Sequence, residues 1–297
     1  MPPFFLPSHR PGFMRSRLQL RHFLALCATL FATTLQAACP VEGIVTVGIV
    51  PQQSASELAQ SWIPLLKDVS GATGCEFRFA TAPTITEFEK RLARGEYTLA
   101  YMNPYHYVVF HQSAGYQAFA REKDRKLRGL LVVRSDSAVN SVQELDGKDV
   151  AFPSPAAFAA TVIPLAELKK GGVNVKPRFV ASHDSVYLNV SRGLVPAGGG
   201  IERTLEAIDA DVRDRLKVIW RSAEYPPHAF ARLPGAPEAL GRSFLEGVQA
   251  VAATPQGAAL LKQIGFKGLV PAQDRDWDPI RALDIRVLDA LLAEPAR

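Results

Sequence analysis

Asp149-Val150-Ala151-Phe152-Pro153-Ser154-Pro155-Ala156-Ala157-Phe158-Ala159-Ala160-Thr161 starts as a strand and ends as a helix. Ser154 suits the N-cap, where its hydroxyl can accept from the first turn, and Pro155 suits the first helical position, whose N–H has no partner anyway. The amides of Ala156, Ala157 and Phe158 are then left pointing outward without intrahelical acceptors. With the helix dipole they form an anion site, and the short alanine side chains let an oxyanion reach the backbone. An ordinary capped helix has the same pattern.

Working outward, the same alternation fills the chain. Upstream, strands are predicted over 44–50, 76–80, 97–102 and 127–134, with helices over 54–69, 86–94 and 104–112. Thr86 and Glu89 have the spacing of a capping box. The polar stretch 135–140 reads as a linker, after which the rhythm restarts. Strands fall over 149–152, 178–181, 194–197 and 216–220, and helices over 155–170, 184–192 and 204–208. A second linker is predicted over 222–227. The tail carries helices opened by Pro237, Pro255 and Pro279, with Thr254 and Asp278 as caps for the last two. Strand–helix–strand rhythm implies largely parallel sheets. The predicted fold is α/β and bilobed, a binding-protein architecture of two sheet-and-helix lobes joined by two linkers. One lobe comprises 38–134 plus 228–297 and the other 135–227.

Composition narrows the function. The 297 residues are 47% hydrophobic and 21% charged, enough apolar material for a substantial core. The formal charge of +5 suggests a polyanion binder until its location is considered. Residues 1–37 contain Arg10, Arg15, Arg17 and Arg21 and no acid, so the rest has 30 basic against 29 acidic residues. A footprint for nucleic acid is therefore not expected. Those first residues run basic, then apolar from Phe23 to Leu35, then small at Ala37 and Ala38, the order of a secretory signal peptide over 1–37, with Met1 or Met14 as the start. The apolar run is too short to span a bilayer, so the mature protein is expected to be exported to the periplasm. Cys39 stands where a lipoprotein cysteine could, but Gln36 fits a lipobox poorly. Once the leader and Cys27 are removed, Cys39 and Cys75 remain, either as a disulfide, the favoured reading in an oxidising compartment, or as two buried thiols.

Three further places could carry chemistry. Tyr101, Asn103 and the aromatics after them lie at a strand's carboxyl end, where open α/β sheets place ligands; a packed aromatic cluster is the alternative. Ser182-His183-Asp184 lies at another strand-to-helix junction, where His183 can donate to an anion or serve only as a local cap. Gly198-Gly199-Gly200 before Glu202 permits close backbone approach but lacks the spacing of a nucleotide loop. A triad of Ser154, His183 and Asp184 lacks the strained elbow that a nucleophilic serine needs, and no nucleophile or metal-ligand motif is present. Neither catalysis, cofactor nor metal is expected.

Taken in order, Gly48-Ile49-Val50-Pro51-Gln52, Tyr101-Met102-Asn103-Pro104-Tyr105, Leu145 to Phe152, Ser182-His183-Asp184 and the glycines before Glu202 resemble the phosphonate-binding-protein family. These are the periplasmic components of phosphate, phosphite and phosphonate ABC importers. The resemblance implies two lobes closing over a tetrahedral oxyanion, with the second lobe's helix start holding its oxygens through Ser154, Ala156 and Ala157. The family's hydroxyl-rich cap keeps only Ser154 here. His183 matches its anion-contacting histidine and Tyr101 its first-lobe aromatic. Glu202 keeps one acid that meets an ammonium in some members, whereas His228 stands where another would be. Aminoethylphosphonate is thereby put in doubt, and a smaller or different oxyanion is left open. The expected partners are that anion and a membrane ABC permease, for a monomeric protein. The alternatives are a component feeding a sensor kinase or cyclase, a periplasmic phosphoesterase, and a scaffold with a vestigial cleft.

Overall fold

The computed structural model describes residues 39–293, and residues 1, 3 and 4 besides. The expected signal peptide lies outside the described residues. Eleven strands are described: β1 (Ile44–Ile49), β2 (Glu76–Ala80), β3 (Leu99–Met102), β4 (Gln117–Glu122), β5 (Gly129–Arg134), β6 (Asp149–Phe152), β7 (Lys176–Phe179), β8 (Ala197–Ile201), β9 (Leu216–Arg221), β10 (Ala229–Arg232) and β11 (Leu269–Pro271). They form two sheets, one in the order β11-β4-β10-β3-β1-β2 and the other β7-β6-β8-β5-β9.

Each sheet has a parallel half, β2-β1-β3 in one and β7-β6-β8 in the other. The expectation of largely parallel sheets is corrected at the strands next to the crossings. β10 runs antiparallel to β3 and β4, and β5 antiparallel to β8 and β9. The chain leaves each lobe and returns, so the strands flanking the crossings meet the sheet from the opposite direction.

The same pairings move one linker. β5 belongs to the second sheet, so the chain crosses over residues 123–128 and not over the polar 135–140. Leu130, Leu131, Val132 and Val133 are fully buried in that sheet, and the polar stretch after them is a surface loop of the second lobe. At the crossing, Leu127 and Tyr225 exchange both backbone hydrogen bonds at 2.9 Å, tying the two linking segments together.

Helix α1 (Ala55–Thr73) packs Leu58, Trp62, Leu65, Leu66 and Val69 on the first sheet. It opens with a reciprocal Ser54–Glu57 capping box and closes at Gly74 with φ 73°, a conformation that glycine adopts without penalty. Helix α2 (Ile85–Ala93) is capped by Thr84, not Thr86, because Glu89 is buried and bonds His106 at 2.9 Å. Helix α3 (Pro104–Ala114) starts at the carboxyl end of β3. In the second lobe, α4 (Ile163–Lys170), α5 (His183–Ser191) and α6 (Glu202–Ala207) follow, and in the tail of the first, α7 (Glu238–Ala252) and α8 (Pro255–Gln263). Pro255 does open α8, with Thr254 as its cap, whereas Pro237 is itself the cap position of α7 and Asp278 the first residue of the short helix Asp278–Arg281.

Cys39 and Cys75 form a disulfide, with Cα atoms 4.8 Å apart across a sequence separation of 36. It anchors the described N-terminal end to the turn before β2. Closing a loop of that length is worth roughly 4 kcal/mol through the unfolded chain. Replacing both cysteines by serine is therefore expected to lower stability by about that much, read from the urea midpoint. No change in the midpoint would show that the bridge does not form.

Candidate functional site

The helix after β6 does not begin at Pro155. Residues 154–157 form a turn closed by the Ala157 amide on the Ser154 carbonyl at 3.3 Å. A π-helical turn (Phe158–Val162) then leads into α4, with Ala157 in the cap position and no side chain capping it. The first backbone bonds run from Thr161 and Val162 to the Ala157 carbonyl, at 2.7 and 3.3 Å. The outward donors of the first turn are therefore the amides of Phe158, Ala159 and Ala160, two residues later than expected. Ser154 is corrected from cap to buried neighbour, its hydroxyl without a hydrogen-bond partner.

This helix start packs on the first lobe. Phe158 meets Tyr225 edge to face at 5.1 Å, and Asn103, which caps α3 through the His106 amide at 2.8 Å, donates across the cleft to the Ala156 carbonyl at 3.2 Å. Two more bonds hold the lobes closed, from the His183 amide to the Gln52 carbonyl at 3.0 Å and from the Ser54 amide to Asp184 at 3.3 Å.

Between the lobes lies a small cavity. Its walls include Ala157, Phe158, Ala159, Ala160 and His183 from the second lobe and Gln52, Asn103 and His228 from the first side and its linker. Val50, Ile85, Leu127 and Ile201 make the rest apolar, and among the described residues no carboxylate lines it, while Glu122 and Glu202 line an adjoining pocket that shares Leu127, Ile201 and His228. His183 and His228 are both 2% exposed. Burial pushes the His183 imidazole down to about 3 and that of His228 well below its usual range, with the Arg203 charge adding to both. Both rings are thus neutral, and hydrogen bonding decides what each offers an anion.

The glycine run lies inside β8, not after the strand that was expected to end at Ala197, and has a packing role. A Cβ on Gly199 would lie 2.1 Å from the Ala160 carbonyl oxygen, and one on Gly129 of β5 1.9 Å from that of Ala159. The two glycines let the sheet touch the backbone of the helix start and so hold its amides in place. On Gly200 a Cβ would strike the Tyr187 hydroxyl, which bonds the backbone of Ile201. The close approach foreseen at these glycines is made by protein, not by ligand.

Two expected ligand groups are turned elsewhere. The Tyr101 hydroxyl donates to Glu122 and accepts from Arg203, so it is fully used. Glu202 accepts from Arg221 at 3.3 Å and does not line the cavity, so it is not available to a ligand ammonium there.

The sequence reading missed Arg203, Glu122 and the side chain of Gln52. Arg203 reaches from α6 across the cleft to Glu122 of β4 at 2.8 Å and to Gln52 Oε1 at 2.6 Å, and lies over the rings of Tyr101 and Phe266. Its side chain is 13% exposed and that of Glu122 only 2%. A second, larger interlobe cavity of about 220 Å³ is walled by this arginine, Trp62, Phe266 and α8. The available signal was Glu122 following Ala118 and Ala120 at strand spacing, since a carboxylate on the inward face of a strand needs a partner.

Asp184 pairs with Glu57 across the same interface. Burial pushes its carboxyl up to about 7, and hydrogen bonding to and repulsion by Glu57 act the same way, against the Ser54 amide. Burial also opposes the Glu57 charge, yet bonds from Ser54 and Asp184 hold it below its usual value. A raised value means that Asp184 supports closure by holding a proton. That contribution is complete below its ordinary 3.8 and is lost as the pH rises through about 7. Asp184→Asn keeps the neutral form at every pH. The ratio of variant to native anion affinity is expected to rise roughly a hundredfold from about pH 5 to about pH 8, with the ligand's own ionisation cancelling. A flat ratio in calorimetry would refute the buried proton.

Known proteins share this fold. The family described as ABC transporter, phosphonate, periplasmic substrate-binding protein matches residues 47–277. The phosphate-import protein PhnD of Mycolicibacterium smegmatis is 24% identical over 80% of this chain and 84% of its own. Among solved structures, a binding-protein component of an ABC phosphonate transporter from Pseudomonas aeruginosa superimposes with a TM-score of 0.77 at 18% identity, covering 86% of this chain and 90% of that one. PhnD1 from Prochlorococcus marinus in complex with methylphosphonate gives 0.74 at 16% identity, over 84% and 98%. With the family match spanning most of its length and the same bilobed fold around an interlobe cavity, the chain belongs to the periplasmic substrate-binding proteins of phosphonate ABC transporters.

Proposed function

We propose that this protein captures a small phosphonate or phosphate-like oxyanion without a cationic arm and carries it, with the lobes closed, to a membrane permease. The observation that carries this reading is the cavity at the helix start, which combines first-turn amides with two neutral imidazoles and lacks any carboxylate lining. The oxyanion lies against the amides of Phe158, Ala159 and Ala160, with His183 and His228 beside it. Each charge-assisted hydrogen bond contributes roughly 1.5–3 kcal/mol, so a few suffice for micromolar affinity, about −8 kcal/mol, after ordering costs.

An ammonium group would be desolvated there without a counter-charge, which is unfavourable. The expected guests are therefore methylphosphonate, phosphite and phosphate, with aminoethylphosphonate bound much more weakly. The methylphosphonate complex of the Prochlorococcus protein and the phosphate import of the mycobacterial one are consistent with that set. The protein acts in the periplasm after removal of its leader, and the Cys39 sulfur, being in the disulfide, is not used for a lipid anchor. It performs no chemistry on its ligand.

Calorimetry with methylphosphonate, phosphite, phosphate, aminoethylphosphonate and sulfate tests the reading. Saturable binding of at least one of the first three, with aminoethylphosphonate much weaker, is expected. Binding of none of the three, tightest binding of aminoethylphosphonate, or turnover of phosphate esters would overturn it.

A further inference from the structure

Gln52 stands between two side chains that together determine its orientation. Arg203 Nη2 is 2.6 Å from the Gln52 oxygen. A guanidinium only donates, so the atom facing it is the amide oxygen and the amide nitrogen must face the other way. That nitrogen lies 3.1 Å from His228 Nε2, and it too only donates. His228 Nε2 therefore accepts, which requires it to be unprotonated. The ring is then neutral, and its single proton is on Nδ1. Among the described residues no protein group bonds Nδ1, while His228 lines the anion cavity.

The origin of this order is Arg203, itself held by Glu122 at 2.8 Å and by Tyr101. His228 stacks on Tyr101, ring centres 5.1 Å apart and planes 21° from parallel, which fixes the plane in which Nδ1–H lies. We propose that Arg203 is a positioning residue for anion capture, acting through Gln52 to hold His228 in the Nδ1–H form as a hydrogen-bond donor to the oxyanion. The inference rests on the ligand site proposed above, but the proton's place on the ring is a property of the unliganded protein. The chain Glu122–Arg203–Gln52–His228 converts a carboxylate–guanidinium pair next to the site into a neutral donor within it. A carboxylate that recognises an ammonium is thereby replaced by a group suited to an oxygen.

The test labels the histidine side chains of the full chain with ¹⁵N and reads the two ring nitrogens of His228 without ligand, its signals assigned by their loss in His228→Asn. The native protein is expected to show Nε2 unprotonated and Nδ1 protonated. Gln52→Glu presents an acceptor where the amide donated, so a proton is expected to appear on Nε2. Arg203→Lys keeps a donor toward Gln52 and should retain the native pattern, which a merely structural role would not require. In Gln52→Glu the affinity for methylphosphonate or inorganic phosphate should fall roughly tenfold to a hundredfold, the worth of one charge-assisted bond and more. A native ring protonated on Nε2, or ring signals unchanged in Gln52→Glu, would overturn the proposal while native binding of either anion left the functional reading intact. Native protein with the expected ring signals but no binding of either anion would overturn that reading, and with it the role given to Nδ1–H.

Discussion

Ala157→Asp is expected to lower affinity for methylphosphonate or phosphate by at least about a hundredfold while leaving the protein folded. Ala157 is in the cap position of the π-helical turn, where no side chain caps the first amides, and it lines the anion cavity. An aspartate there is an excellent cap, because its carboxylate accepts from the amides two and three residues on. Those are the amides of Ala159 and Ala160, the same donors assigned to the ligand. The variant thus supplies its own anion, and an incoming one loses two charge-assisted bonds and meets a fixed negative charge. Two such bonds at about 1.5–3 kcal/mol each give the hundredfold minimum. The cap partly offsets the cost of fitting a larger side chain at a position only 3% exposed, so thermal stability should stay close to native. Calorimetry and a melting curve together decide the matter, and native affinity in a folded Ala157→Asp protein would move the anion site elsewhere.

Glu122→Leu should have the largest effect on stability. It leaves the Arg203 guanidinium, 13% exposed, without the carboxylate that balances it in a pocket of Tyr101, Phe266 and Gln52. Removing one partner of a buried pair costs about 3–5 kcal/mol, chiefly because the other charge remains unpaired. Since Glu122 belongs to the first lobe and Arg203 to the second, much of that cost falls on closure, and anion affinity should drop with the urea midpoint. The double variant Glu122→Leu with Arg203→Met replaces both charges by apolar groups and is expected to recover most of the lost stability. It should not recover the anion affinity, since Gln52 then has nothing to orient it. A single variant as stable as the native protein would show that the pair does not join the lobes.

The sequence reading succeeded where local chemistry is sufficient. Alternation of apolar runs with helical periods located most strands of the two sheets, and Thr254 before Pro255 marked the start of α8 because caps act over a single turn. The pairing of Cys39 with Cys75 followed from their being the cysteines outside the expected signal peptide. His183 and His228 were singled out through the family resemblance, His228 as standing where an acid would be, and both line the cavity. Errors cluster where strand pairing decides. The run 127–134 was rightly a strand, but nothing within it states which sheet it joins, and the linker was placed on the wrong side of it.

Sequence by itself determined the two-lobed α/β order, the family, and a strand-to-helix junction built of small residues, since each depends on spacing or on residues near one another along the chain. Only the tertiary structure decided which amides face the cleft, because the first turn winds as a π-helix against glycines 30 residues before and 40 after it. It also decided that the Tyr101 hydroxyl belongs to Glu122 and Arg203, 21 and 102 residues away, and that Gln52 and His228 meet across 176 residues. Hydrogen-bond partners of buried polar groups are chosen by what the fold brings within about 3 Å, a distance that no local pattern encodes.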